Sequence, residues 1–349
     1  MNEYTGIVHF HSAYSYDGRV PVPEIVRAAR ENGIDILMLT DHGNLKARSA
    51  GEEGWNDGVL LISGEEICPG QFHHYLVFGL SEPLSRHFDG HTPPQAMIDR
   101  VREAGGLGII AHPDHEGTEL FHVKQYSWKT WPVSGFAAMG IWDFMTDWQS
   151  SLTGNARALA SYFWPALFLK GPRKVTMERW DSLNMAGRVP GIGELDNHDT
   201  PSRALGLTWS VFPFRKAFRF VRTHFLLDEP LRHDSSDILS VYQAIRKGRL
   251  FISLDYFKQA RGFSFNIIQD GKELHIGDEL EFSNRAGARV STPFAGLIRL
   301  LRNGVPVAEM MGTCLETELG EKGVYRVEVY NRAYGRLRPW IFSNPIYLR

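Results

Sequence analysis

Short apolar runs alternate with amphipathic stretches through the first two thirds of this chain. That order excludes an all-helical or all-β fold for that part. Gly6 to His11, Ile34 to Thr40, Val59 to Ser63, His74 to Leu80 and Leu107 to Ala111 read as strands. Met139 to Phe144, Val189 to Gly193, Thr223 to Leu227 and Leu250 to Leu254 continue the series. Helical spacing covers Pro23 to Asn32, Gln95 to Ala104 and Ser236 to Lys247, stopped by Gly33, by Gly105-Gly106 and by Gly248. Strands in this order call for helical crossovers. The expected architecture is therefore α/β, with parallel strands in a barrel or doubly wound sheet.

The residues that end these runs carry the chemistry. In His9-Phe10-His11 a strand would point both imidazoles to one side. Asp17 follows in the turn Ser15-Tyr16-Asp17-Gly18, which can fold an oxygen back over the same place. Thr40-Asp41-His42 ends the second apolar run, Gly64-Glu65-Glu66 the third, and His73-His74 opens the fourth. His112-Pro113 and Asp196-Asn197-His198 end two more. Barrel enzymes place catalytic groups at such carboxyl ends of strands. Thirteen of the fourteen histidines lie before residue 234, and only His275 lies beyond. Imidazoles with carboxylates suit Zn, Mn or Fe, and a carboxylate can bridge two ions. Unrelated surface histidines are the competing reading.

The character changes near Gly262. Phe263 to Ile267 and Tyr325 to Val329 alternate polar and apolar residues, with turn signals at Asp270-Gly271, Asn303-Gly304 and Lys322-Gly323. A small antiparallel β-sandwich over 262–349 is expected, after a first domain over 1–261. Within the latter, 120–180 stands apart as a Trp-rich insertion holding Trp128, Trp131, Trp142, Trp148, Trp164 and Trp180. It would either pack on the barrel mouth or form apolar substrate walls.

Composition restricts the partners. Apolar residues make up 43% and charged residues 22%, enough for ordinary cores, and the net charge of -2 gives no footprint for duplex nucleic acid. A phosphorylated small molecule or a nucleotide remains compatible. Two cysteines, Cys68 and Cys314, make a disulfide framework unexpected and point to a reducing, cytoplasmic setting. Cys68, two residues after Glu66, either lines the site or is a small buried apolar group. Met1 to Tyr4 has no secretory pattern, and Ala158 to Leu169, with Pro165 inside, is too short to span a bilayer.

The ordered set His9-Phe10-His11, Asp17-Gly18, Thr40-Asp41-His42, Gly64-Glu65-Glu66, His74, His112-Pro113 and Asp196-Asn197-His198 resembles the motifs of the polymerase and histidinol phosphatase (PHP) superfamily. The nearer resemblance is to its carbaryl-hydrolase-like branch, whose C-terminal β domain ends in a phrase like Arg338 to Tyr347. The resemblance spans nearly the whole chain. It implies a distorted (β/α)7 barrel holding two or three divalent metals. Carried over, His9 and His11 hold the first metal with Asp196, and Glu66 bridges. His74 and His112 complete the second site, and Asp17, His42 and His198 form the third. Glu66, His198 and Asp41 are the implied catalytic groups, Asp41 by orienting His42 or a neighbour. Glu65 and His73 are expected to be structural or solvent-facing.

The function implied is metal-dependent hydrolysis, with phosphoesters first and a bridging hydroxide as nucleophile. One departure favours a carboxylic ester, amide or carbamate instead. The family's phosphate-clamping arginine is missing after His112-Pro113, where Asp114, His115 and Glu116 stand. Arg19, Arg173, Lys174 and Arg203 are the replacement cations to examine. A non-catalytic metal-binding module is the third reading. No Gly-rich nucleotide loop is present.

Overall fold

A computed structural model describes residues 1–204 and 207–349, without the side chains of 121 and 201–209. The chain opens with β1 (Asn2–Val8), α1 (Val22–Glu31), β2 (Ile36–His42), α2 (Lys46–Ser49), β3 (Gly54–Asn56), β4 (Val59–Ile67) and β5 (Tyr75–Phe78). Next come α3 (Pro94–Glu103), β6 (Leu107–Ile110), β7 (Ala138–Asp143), α4 (Phe144–Gln149), α5 (Asn155–Phe163), α6 (Lys174–Ala186) and β8 (Gly191–Glu194). β9 (Pro201–Ala204) and β10 (Leu207–Ser210) pair only with each other. α7 (Phe214–Ala217), β11 (Val221–Leu227), α8 (Ser236–Lys247) and β12 (Leu250–Leu254) follow. The remainder is strand: β13 (Ser264–Gln269), β14 (Lys272–His275), β15 (Glu279–Leu280), β16 (Ala286–Arg302), β17 (Val305–Leu319), β18 (Gly323–Ala333), β19 (Arg336–Ser343) and β20 (Ile346–Leu348).

Local chemistry explains the helices. α1 starts after Pro21, carries Glu24 in its first turn and Arg30 in its last, and buries Val22, Ile25, Val26, Ala28 and Ala29. α8 stops because Gly248 takes a left-handed conformation, φ +71°. The strands between them are buried on both faces. Leu37 and Leu39 of β2 join one apolar cluster, whereas Ile36 and Met38 join another.

The ladder runs β12, β11, β1, β2, β4, β5, β6, β7, β8. Just past β8 the chain returns to β1: Leu195 N donates to Val8 O (3.0 Å) and Asp196 N to His9 O (2.8 Å). His11 N donates in turn to Asn197 O at 3.0 Å. Hydrogen bonds thus link the segment after β8 to the end of β1, and the strand ends around them meet.

Three expectations need correction. The series is not uniformly parallel, because β5 runs antiparallel to both β4 and β6. Residues 68–74 connecting β4 to β5 are too few for a crossover. The C-terminal strands are not all short: β16 has 17 residues and β17 has 15. β16 pairs with β13 through Gly287–Ser291 and with β18 through Leu297–Arg302, with a register break against β17 between Ser291 and Gly296. Pro293, which has no N–H to give a ladder, lies in that break. Finally, 120–180 is no simple insertion, since β7 runs through it inside the main ladder. Trp128, Trp142, Trp148 and Trp180 are core residues, and only Trp164 is largely exposed. The walls expected of the tryptophans are therefore mostly packing.

The C-terminal strands join the rest through β19, which pairs with β12. The closing phrase is a set of ties. Asn344 Nδ2 donates to Gly191 O and Leu250 O, and its Oδ1 accepts from Gly191 N. Tyr347 donates to Asn184 at 2.5 Å, and Arg326 pairs with buried Asp181 at 2.6 Å. Among the described residues no helix is long and apolar enough to cross a membrane.

Candidate metal centre

Strand ends bring nine side chains together, and they are the nine expected. His9 and His11 follow β1, His42 ends β2, Glu66 is near the end of β4, and His74 precedes β5. His112 follows β6, Asp196 and His198 follow β8, and Asp17 lies in the turn after β1. Their donor atoms form overlapping groups within 4.8 Å: His9, His11, Glu66 and Asp196; Glu66, His74 and His112; His11, Asp17, His42 and His198. A further group, His42 with Glu66 and Cys68, adds a thiol, so Cys68 does line the centre, its Sγ 3.3 Å from His42 Nδ1.

Strand alternation does not explain how His9 and His11 converge. β1 ends at Val8, and His9 sits at φ +66°. His112 (φ +26°) and Asp196 (φ +49°) are also left-handed. Non-glycine residues hold such angles only where surrounding contacts impose them. Three chain kinks, not straight strands, aim these side chains.

Glu66 divides its two oxygens between two sets of imidazoles. Oε2 lies 3.3 Å from His9 Nε2, His11 Nε2 and His42 Nδ1. Oε1 lies 2.7 Å from His74 Nδ1 and 3.5 Å from His112 Nε2. Asp196 Oδ1 faces His9 Nε2 at 3.3 Å and His11 Nε2 at 3.6 Å. Asp17 Oδ2 joins His42 Nε2 (3.1 Å) to His198 Nε2 (3.2 Å).

The electrostatics follow from crowding in a dry place. Burial raises the Glu66 carboxyl, but His9, His74 and His42 overcome that and hold it well below the carboxylate range. Asp17 and Asp196 are depressed in the same way, against their own burial. Burial lowers His112, yet Glu66 and Asp196 hold it up at about 9. The same hydrogen bonds leave gaps. His11 Nδ1 and Nε2 and His112 Nδ1 are buried with no hydrogen-bond partner, His11 Nε2 being near Glu66 but off its hydrogen-bond direction. Buried polar atoms are almost always paired, and five imidazoles around one carboxylate fit cations between them.

Other expected residues fall elsewhere. Asp41, expected to orient His42 or a neighbour, accepts from Ser12 N and Ser12 Oγ, both at 2.7 Å, and so shapes the turn after β1. It neighbours His42 on a strand, so the two point to opposite faces. Glu65 is buried and structural, accepting from Leu84 N (2.5 Å) and Ser85 Oγ (2.6 Å). His73 bonds the Thr130 hydroxyl at 3.2 Å. Of the candidate cations, Arg173 is tied to Asp114 O and Glu116, and Lys174 to Glu178. Arg19 is exposed, and the Arg203 side chain lies outside the described residues. Asp114 is itself held by Thr176 and Arg179.

Two buried groups were not anticipated. His115 bonds Gln149 through Nε2 at 2.7 Å and accepts from Tyr126 N through Nδ1, and burial with His112 nearby lowers it to about 4. Glu194, wholly buried, lies 3.1 Å from His9 Nδ1 and accepts from His112 N at 2.8 Å. Its sequence signal was a charged residue inside an apolar run.

Residues 8–109 match the family described as PHP domain. That stretch contains six of the nine clustered residues and ends before His112, Asp196 and His198. An uncharacterized protein of Methanocaldococcus jannaschii is 26% identical over 117 residues, covering 30% of this chain and 66% of that protein. Probable phosphatase YcdX of Escherichia fergusonii is 27% identical over 130 residues, covering 30% of this chain and 52% of its own. The matched region thus spans about half to two thirds of these curated relatives. Among solved structures, the chain is similar to a two-domain protein from Bacteroides vulgatus described as containing a predicted PHP-like metal-dependent phosphoesterase. The TM-score is 0.44 at 15% identity, covering 99% of this chain and 95% of that one. An endonuclease Q in complex with duplex substrate gives 0.43 at 14% identity, covering 70% and 57%. Both scores lie below 0.5, a level that fixes neither fold nor activity.

Proposed function

We propose that this chain is a metal-dependent phosphoesterase holding two or three divalent ions at the centre around Glu66. The observation that carries this is the division of the Glu66 oxygens between two sets of imidazoles. His9, His11 and Asp196 with Glu66 would hold one ion, His74 and His112 with Glu66 a second, and Asp17, His42 and His198 a third. The closing of the strand series from β8 to β1 supports reading the fold as a distorted barrel. The double pairing of β16 supports a C-terminal sandwich, and the ties of Asn344 and Tyr347 agree with the carbaryl-hydrolase-like branch. Divalent ions supply Lewis acidity and make water acidic enough to react near neutral pH. The protein's own part is to hold them: Asp41 fixes the turn carrying Asp17 through Ser12, and Glu66 offsets repulsion between neighbouring cations.

A second reading, hydrolysis of a carboxylic ester, amide or carbamate, rests on one observation. Arg173 and Arg179, which reach the segment after His112-Pro113, are engaged there by Glu116 and Asp114. The test is a substrate panel of aryl phosphate mono- and diesters and aryl carboxylic esters, with protein loaded with Mn, Zn or Fe. Faster turnover of the phosphates supports the first reading, and of the carboxylic esters the second. No turnover on loaded protein overturns both.

A further inference from the structure

Resting on the metal-centre reading above, we propose that Glu194 is a positioning residue that fixes the proton of His9 on Nδ1 and so leaves Nε2 to bind metal. Its two oxygens have separate partners. Oε1 lies 3.1 Å from His9 Nδ1, and Oε2 accepts from the backbone of His112 at 2.8 Å. A carboxylate only accepts, so Nδ1 must carry the hydrogen. His9 Nε2 then faces Glu66 Oε2 and Asp196 Oδ1, each at 3.3 Å. In the metal-free protein a proton on Nε2 satisfies those two oxygens; a divalent cation would take that proton's place between them, while the Nδ1 hydrogen stays bonded to Glu194. By holding His112 N, the same carboxylate also supports the φ of +26° that aims the His112 ring.

The fold makes room for this group at a specific cost. Gly140 lies on β7 beside β8, and a Cβ there would stand 1.5 Å from Glu194 Oε2. That is far inside van der Waals contact, so any side chain at 140 displaces the carboxylate. Glu194 is fully buried, so no water replaces it. A glycine on one strand and a carboxylate on the next thus form one device, serving ligands on two further strand ends.

Glu194→Gln reverses the device without changing its size. His112 N can only donate, so the amide oxygen must stay on it. The amide nitrogen then faces His9 Nδ1 and donates, which moves the His9 hydrogen to Nε2, the metal-binding atom. Gly140→Ala should act in the same direction by moving the carboxylate.

The experiment measures Zn2+ stoichiometry and affinity by equilibrium dialysis for wild type, Glu194→Gln and Gly140→Ala. It is paired with imidazole 15N spectra of the Zn2+-loaded proteins, with His9 assigned by its absence from His9→Gln. The expected wild-type spectrum has His9 protonated on Nδ1. Glu194→Gln should lose that signal and bind the weakened Zn2+ equivalent about 10–100-fold less tightly. Gly140→Ala should lose affinity likewise. A wild-type His9 protonated on Nε2 overturns the proposal even if a variant fails to fold. Glu194→Gln with unchanged affinity and an unchanged His9 signal also overturns it. Wild type that binds no Zn2+ is a different failure, since it removes the metal-centre reading itself.

Discussion

Two buried histidine networks sit at opposite ends of β1. One is the cluster around Glu66. The other begins at Glu3, about 20 Å away along the strand at ~3.3 Å per residue. There His224 bonds Glu3 through Nδ1 (2.7 Å) and Ser253 through Nε2 (2.8 Å). Ser253 donates to Asp255 at 2.7 Å, and Asp255 also accepts from Ala260 N and pairs with Arg222. The second Glu3 oxygen accepts from Gly262 N. His224 and His9 are equally buried, at 0% exposure. The difference is completeness. Both nitrogens of His224 have partners, each held by further groups. In the Glu66 cluster five imidazoles share one carboxylate and three ring nitrogens have no partner. Burial of a histidine therefore says little about function, whereas unfinished hydrogen bonding says a good deal.

The largest effect should come from exchanging a charge in each network. Glu66→Gln keeps shape and one good oxygen but cannot offset two cations. We expect loss of at least one metal equivalent and a fall in turnover of roughly 100-fold or more, since even partners one step removed cost about 10–100-fold. Circular dichroism should stay that of wild type. His224→Gln should do the reverse, costing about 2 kcal/mol of stability by leaving a buried partner unmatched, with metal content unchanged. If His224→Gln loses metal, or Glu66→Gln keeps it, the two networks are not different in kind.

A second contrast is pH. In the metal-free protein His112 is held at about 9, above its ordinary value, by Glu66 and Asp196 against burial. A raised imidazole contributes stability that is fully present below about 6.5 and is lost as pH rises through about 9. Metal binding needs the neutral ring, so it displaces that proton. Between pH 6.5 and 9, stability of the chelator-treated protein should therefore fall while metal affinity rises. Urea unfolding with chelator, and proton release on metal addition in weak buffer, measure the two slopes. Slopes of the same sign would refute the assignment.

How much of this was legible in the sequence follows from the same contrast. His224 lies inside the apolar strand Val221–Leu227, whereas eight of the nine clustered residues lie at strand ends and Asp17 in a turn, so position along the run distinguishes the two. The end of an apolar run is a local property, and it marks eight of the nine residues that cluster, Asp17 being marked by its turn. What failed depends on partners across the sheet. Gly140 makes space for Glu194, and β5 turns back because residues 68–74 cannot cross over. The kinks at His9, His112 and Asp196 were equally hidden: Asp and His take a positive φ more often than most residues, but nothing in the local sequence says which of them do.

The smallest expected effect tests the register at Glu65-Glu66. The two are adjacent on β4 and point to opposite faces. Sequence alone predicts that Glu65→Gln is mild. The structure shows Glu65 wholly buried, with Leu84 N, Ser85 N and Ser85 Oγ donating to it. A glutamine there keeps one acceptor oxygen but sets its amide hydrogens against the donors that remain. We therefore expect a loss of about 1 kcal/mol, at the lower end for an unmatched buried pair because exposed residues on either side of Leu84 and Ser85 let that turn shift. Metal content and turnover should stay near wild type, since no atom of Glu65 belongs to the ligand groups. Urea unfolding, metal analysis and turnover on this one variant decide the matter. Intact stability with lost metal would exchange the roles of Glu65 and Glu66, and with them the face of β4 that carries the chemistry.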